Sequence, residues 1–183
     1  MEWLRNPIDQ TNPLKPVWTF DQIPDLSGKV IIVTGGNAEI GKESVQALLA
    51  HNATVYVASR SEEHAQSAIA ELKEATGKEP IFLRLDLGNL SHIRKAAEEF
   101  LSKEKQLRVL MNNAGVMYPP TDQVTDGNFY MPFGTNVIAP EAANLNGQYL
   151  KPWARLGKAV PSTQDPEVAA KLRAWLEAAV AGK

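Results

Sequence analysis

Between residues 29 and 115 the apolar positions follow two alternating rhythms. Short runs rich in β-branched residues give way, after a turn, to stretches in which apolar residues return every three or four positions. The first rhythm is that of a strand buried on both faces and the second that of an amphipathic helix, so the alternation predicts βαβ units on a parallel sheet. KVIIVTGG (29–36) is the first strand and its turn, and a helix from Ile40 to His51 follows with Ile40, Val45, Leu48 and Leu49 towards one face. ATVYVAS (53–59) is the second strand. Ser61 then caps a helix with Glu62 and Glu63 in its first turn, Ala65, Ile69 and Leu72 on its inner stripe and Gly77 at its end. IFLRLDL (81–87) is the third strand, and beyond Gly88 a helix capped by Ser91 turns Ile93, Ala96, Ala97, Phe100 and Leu101 to the sheet. LRVLM (107–111) is the fourth, running into Asn112-Asn113-Ala114-Gly115.

Proline marks where this regularity stops. Between Asp25 and Val116 only Pro80 interrupts, whereas residues 116–163 hold six prolines and only short apolar runs. NLNGQYL (144–150) is a candidate strand. Asp165 as N-cap and Pro166 at the first helical position introduce a last helix, with Val168, Leu172, Trp175, Leu176 and Val180 as its core stripe and Gly182 as its stop. Trp3, Trp18, Trp153 and Trp175 are read as anchors of the terminal segments.

Composition narrows the function classes. Nineteen Lys and Arg against 21 Asp and Glu give a net charge of −2, which provides no electrostatic footprint for nucleic acid or an anionic membrane. No apolar run reaches the length of a membrane span, and the polar, proline-broken N-terminus has no apolar signal region. Absence of cysteine removes disulfides, thiolate metal sites and thiol nucleophiles. The expectation is a cytoplasmic protein with no nucleic-acid or membrane partner. His51, His64 and His92 fall on helices or helix ends without carboxylates at ligand spacing, so they are read as solvated or capping groups and no metal is expected.

The chemistry concentrates at strand ends. Thr34-Gly35-Gly36-Asn37-Ala38-Glu39-Ile40-Gly41 joins a strand to a helix, the context of a dinucleotide site. Glycine lets such a turn bend sharply and bring backbone N–H groups and the positive end of the helix against a pyrophosphate. Arg60 ends the second strand about 20 residues on, where an NAD site places an acid and an NADP site can place Arg on the 2′-phosphate. Asp86-Leu87 and Asn112 to Gly115 end the third and fourth strands, so four strand ends form one crevice.

With IPDLSGKVIIVTGGNA-IG, VYVASRS, LDL, NNAGVM and FGTNV, the chain resembles the short-chain dehydrogenase/reductase family over residues 23–138, in particular its retinol-dehydrogenase-like fungal members. The resemblance implies an α/β fold, here a truncated Rossmann-like three-layer sandwich with a parallel sheet of about four to five strands. It implies an NADP cofactor bound by Gly35, Gly36, Asn37, Ile40 and Gly41 at the turn, Arg60 at the 2′-phosphate, Asp86 and Leu87 beside the adenine, and Asn112, Ala114 and Gly115 along the ribose. Asn136 takes the place of the family's catalytic proton-relay asparagine. The organisation expected is a proline-rich extension over 1–24 and one domain over 25–183, divided into a nucleotide-binding half (25–138) and a C-terminal strand and helix (141–183).

Two departures from the family pattern bear on function. Its middle glycine is Glu39 here, a carboxylate that either crowds the diphosphate, weakening or abolishing binding, or simply caps and solubilises the turn. The family's proton-transferring Tyr is followed four residues later by Lys, but Tyr56, Tyr118, Tyr130 and Tyr149 are followed by Arg60, Asp122, Gly134 and Trp153. The expectation is therefore a nucleotide-binding relative without conventional catalysis. Pro132 and Pro140 make the helix around Asn136 short or irregular, and Asn136 is read as more structural than catalytic. An enzyme using replacement groups such as Tyr149 and Lys151, or residues of a partner, is one alternative. A ligand-free interaction module is the other: an uncovered fourth strand would take up NLNGQYL or a second copy as a homodimer.

Overall fold

A computed structural model describes residues 18–138, together with 150–151, 155–156, 166–167, 170–171, 174–175 and 178. The chain divides into two compact units, Pro24–Ala143 with Val180–Lys183, and Met1–Ile23 with Asn144–Ala179.

In the first unit the predicted alternation is realised as β1 (Val30–Thr34), α1 (Glu39–Ala50), β2 (Thr54–Ser59), α2 (Glu62–Thr76), β3 (Ile81–Arg84), α3 (Leu90–Lys103) and β4 (Val109–Met111). The strands form one parallel sheet in the order β3-β2-β1-β4. This is the doubly wound arrangement, in which the chain leaves β1 to one side for β2 and β3 and returns to its other side for β4. Each face of the sheet has its own core. Ile31, Val33, Val55 and Val57 pack with Val45 and Leu49 of α1 and Ala65 and Leu72 of α2. Ile32, Tyr56, Ala58 and Leu83 pack on the other face with Ala96 and Phe100 of α3. Continuous apolar runs in β1 and β2 are thus explained by helices on both sides.

Several predicted details are corrected. Ile40 does not join the inner stripe of α1; it is 75% exposed, because it stands in the first turn, beyond the carboxyl end of β1, where it lines the cleft. The cap of α3 is Asn89, whose Oδ1 accepts from the N–H groups of Ser91 and His92 at 2.9 and 3.1 Å, so Ser91 lies inside the helix. Leu101 is exposed because the buried line runs through Ala96 and Phe100, one residue and about 100° away. Ala97 is exposed too. The remaining helix signals are realised: Ser61 Oγ accepts from the N–H of His64, Gly77 ends α2 at φ 70°, and His51 caps α1 with its ring Nδ1 at 2.8 Å from the Ala47 carbonyl.

In the second unit Leu150–Lys151 (β5) pairs antiparallel with Arg155–Leu156 (β6). Only Leu150 of the candidate strand 144–150 lies among the described residues, and it pairs with Leu156 rather than with β4. Residues 166–167, 170–171, 174–175 and 178 are helical, as Pro166 predicts, while Asp165 and the stripe residues Val168, Leu172, Leu176 and Val180 lie outside the described residues. Trp175 is 49% exposed and Trp18 50%, so Trp175 is not buried as a core stripe would have it. Trp18 meets Phe20 edge to face at 6.3 Å. Trp3 and Trp153 lie outside the described residues, as do Tyr149, Pro140 and Pro152.

Among the described residues the largest fully buried side chain is Tyr56, on the central part of the sheet. It meets Phe100 edge to face at 5.2 Å and donates its hydroxyl to Glu104 at 2.9 Å. Burial, then the bond to Glu104 and the charges of Glu104 and Glu99, push its phenol up from 10 to about 12. The neutral phenol is therefore favoured by folding; its contribution is complete below pH 10 and is lost as pH rises through 12. Tyr56→Phe is expected to cost about 1 kcal/mol at pH 7 and to remove an alkaline loss of about 1.4 kcal/mol between pH 7 and pH 11, half of the full window. Urea unfolding at pH 7 and pH 11 measures both; an equal alkaline loss in wild type and variant would contradict it.

Candidate functional site

The carboxyl ends of β1 and β4 are joined by one side chain. Thr34, 3% exposed, donates its hydroxyl to the Met111 carbonyl at 3.2 Å and accepts from the backbone N–H groups of Asn113 and Ala114 at 3.0 and 2.9 Å. Asn113 returns the connection, its Nδ2 donating to the Thr34 carbonyl at 3.0 Å. Above this knot Gly35 sits at φ 65°, where glycine alone is unstrained, with the Ala114 Cα 3.1 Å from any added Cβ. A Cβ on Gly41 would fall on the Gly35 carbonyl and the Asn113 amide, so the first turn of α1 can lie against the loop after β4 only as glycine.

Around this turn opens a cleft of about 730 Å³. Of the predicted cofactor residues, Gly35, Asn37, Ile40, Gly41, Arg60, Asp86, Leu87, Ala114 and Gly115 line it, and Asn136 does too. Gly36 does not. It is buried behind the turn, where an added Cβ would meet Val45 Cγ2 at 3.0 Å, so its smallness serves packing of α1 on β1. Asn112 also lies off the cleft lining, since side chains alternate past the end of β4 and Asn113 takes the inward place. Asp86 accepts from the Gly88 N–H at 2.9 Å, which fixes the loop after β3. Arg60 is exposed at the rim and has no hydrogen bond or ion pair among the described residues.

Glu39 resolves part of the question raised by its sequence. Its backbone sits at φ 45°, in the left-handed region, and its side chain is exposed and lines the cleft. The turn thus holds the conformation that suits glycine, and a carboxylate occupies it. Lys42, in the same first turn of α1, is engaged by Glu71 of α2.

Asn136 follows a helical turn, Met131–Phe133, that widens into a π-helical turn over Gly134–Ile138, as the prolines foretell. Its amide is committed at both ends: Oδ1 accepts from the Val116 N–H at 2.8 Å and Nδ2 donates to the Val116 carbonyl at 2.9 Å. The side chain acts as a clamp on the loop beyond Gly115. Sequence reasoning missed the far wall of the cleft, Val124 to Asp126, Met131 and Thr135, and it missed His64. The wall is built by a narrow loop in which Thr125 and Phe129 pair backbone to backbone and the Asp126 N–H donates to the Gly88 carbonyl at 3.0 Å. Proline and polar residues hide that loop from periodicity. His64 was legible in principle, one helical turn beyond Arg60.

Comparison with known proteins agrees with this geometry. The family model described as short chain dehydrogenase matches residues 29–143. A short-chain dehydrogenase/reductase of Armillaria gallica is 61% identical over 131 residues, covering 72% of this chain and 42% of the relative. Among solved structures, an uncharacterized protein from Mycobacterium paratuberculosis is similar with a TM-score of 0.57 at 28% identity, covering 67% of this chain and 42% of that one. A short chain dehydrogenase from Shigella flexneri 2a complexed with NADP gives a TM-score of 0.54 at 26% identity, covering 64% of this chain and 51% of that one. The chain spans about two-fifths of the length of the curated relatives it matches.

Two substitutions test the turn. Thr34→Val leaves the Ala114 N–H without an acceptor and is expected to cost about 2 kcal/mol in chemical denaturation, while Thr34→Ser keeps all three bonds and most of the stability. Glu39→Gly relieves the left-handed strain and should raise stability by about 1 kcal/mol; a loss on this change would show that Glu39 is not strained.

Proposed function

We propose that this chain, which belongs to the short-chain dehydrogenase/reductase family, forms in residues 25–138 the NADP(H)-binding half of an oxidoreductase. The observation that carries the reading is the unpaired Arg60 at the rim of a cleft whose floor is the glycine turn and the loop after β4. The residues fit the group apart from Glu39: Gly35 and Gly41 let the turn close on the loop after β4 and present its backbone to a diphosphate, Arg60 suits a 2′-phosphate, Asp86 and Leu87 suit the adenine side, and Ala114 and Gly115 the ribose side. Bound NADPH would supply the hydride for carbonyl reduction. Proton transfer needs an acid beside the carbonyl, and in these 183 residues no Tyr is followed four positions later by Lys. We therefore read this chain, acting alone, as a cytoplasmic nucleotide binder without conventional turnover, in which Asn136 positions a loop. Its Glu39 weakens the grip on the diphosphate.

One observation supports self-association as well. Val109 and Leu110 point to opposite faces of β4, at the end of the sheet, and are 42% and 39% exposed, with Leu107 at 40%. A second copy pairing along β4 would cover them.

Calorimetric titration with NADPH tests the first reading. Binding is expected, with Arg60→Ala weakening NADPH about ten-fold or more and leaving NADH within two-fold. No heat and no thermal shift at millimolar NADPH would sink it. NADPH oxidation with a panel of aldehydes and ketones should stay at the background rate. Sedimentation should show a dimer that Val109→Lys dissociates without loss of NADPH binding; a monomeric wild type would contradict the pairing.

A further inference from the structure

The charges along the cleft are ordered differently from those of the ligand proposed for it. NADP carries negative charge at its diphosphate and at its 2′-phosphate. At the diphosphate turn the cleft presents the Glu39 carboxylate, and Lys42 of the same helical turn is held by Glu71. Among the described residues that line the cleft, Arg60 is the sole Lys or Arg. It follows β2, and donors adjoin it. Ser61 Oγ accepts from the backbone N–H of His64 at 3.3 Å, which leaves its own O–H to donate outward. His64 lines the cleft one helical turn beyond Arg60, exposed and with its ring in no hydrogen bond among the described residues, and Glu62 and Glu63 beside it do not line the cleft. Asp86, further in, has one carboxylate oxygen engaged by the Gly88 N–H.

We infer that the affinity of this cleft resides in its 2′-phosphate end, gripped by Arg60, Ser61 and His64, and that the diphosphate adds none while Glu39 faces it. A 2′-phosphorylated adenosine is then the minimal ligand. His64 is a specificity determinant beside Arg60, since its ring N–H reaches a 2′-phosphate and has no counterpart to meet in NAD. The inference rests on the NADP(H) reading above.

Calorimetry on the full chain with 2′-AMP, NADP⁺ and ADP tests it. The expected result is 2′-AMP binding within about five-fold of NADP⁺ and ADP binding at least about ten-fold more weakly than 2′-AMP. His64→Ala should weaken 2′-AMP and NADP⁺ alike by about five-fold. Glu39→Gly, its fold verified by circular dichroism, should tighten NADP⁺ about ten-fold or more and leave 2′-AMP unchanged, which a merely structural role for Glu39 would not do. NADP⁺ binding more than about five-fold tighter than 2′-AMP, or ADP matching 2′-AMP, would overturn the inference and leave the NADP(H) reading standing. Failure of both NADP⁺ and 2′-AMP to bind at millimolar concentration would overturn both.

Discussion

The Thr34 hydroxyl is the constraint on which the cleft depends. A hydroxyl has one proton to give and two lone pairs to fill, and here all three are used across the gap between β1 and β4. Thr34 is buried and its bonds are partly so, in surroundings where an unmade bond is costly. They fix the height of the loop after β4 relative to the glycine turn, and that height decides everything above. With Ala114 and the Asn113 amide pressed against the turn, Gly41 has no room for a side chain and Gly35 could take one only as a tight fit. Glycine there is imposed by the neighbouring strand as much as by any ligand.

The order of strands and helices was legible in the sequence because β1 and β2 are buried on both faces and read as unbroken apolar runs. Helix α2 was legible to its ends, since Ser61 and Gly77 act through their own backbone geometry. Errors arose where two candidates competed at one position. Asn89 and Ser91 both offer an oxygen at the start of α3, and Asn89 reaches two N–H groups from outside the helix while Ser91 is itself one of the donors. Ile40 is apolar and in register, yet its first-turn position carries it past the carboxyl end of β1, a fact of tertiary placement that spacing does not encode.

At the site, some residues reach the cleft through their place in the local chain, and others are placed by long-range packing. Arg60 at a strand end belongs to the first class. Gly36, spent on packing against Val45, belongs to the second, as does Thr125 on the far wall. Glu39 belongs to both. Its sequence announces a missing glycine, and the backbone keeps the glycine conformation regardless, so local preference and tertiary demand disagree at that one residue.

The bonds from Thr34 to Asn113 close a loop of 79 residues, whereas β1 and β2 meet across a separation of 24, from Val30 to Thr54. Loop closure costs entropy that grows with length, so contacts between β1, β2 and the intervening helix form at lower cost than the docking of β4. During synthesis the cleft cannot exist until Ala114 has emerged, well after the first two strands have paired. A nucleotide that recognises the finished cleft acts on this last step alone: it holds β4 in place against opening and slows unfolding, and it does nothing to guide the earlier assembly of the sheet.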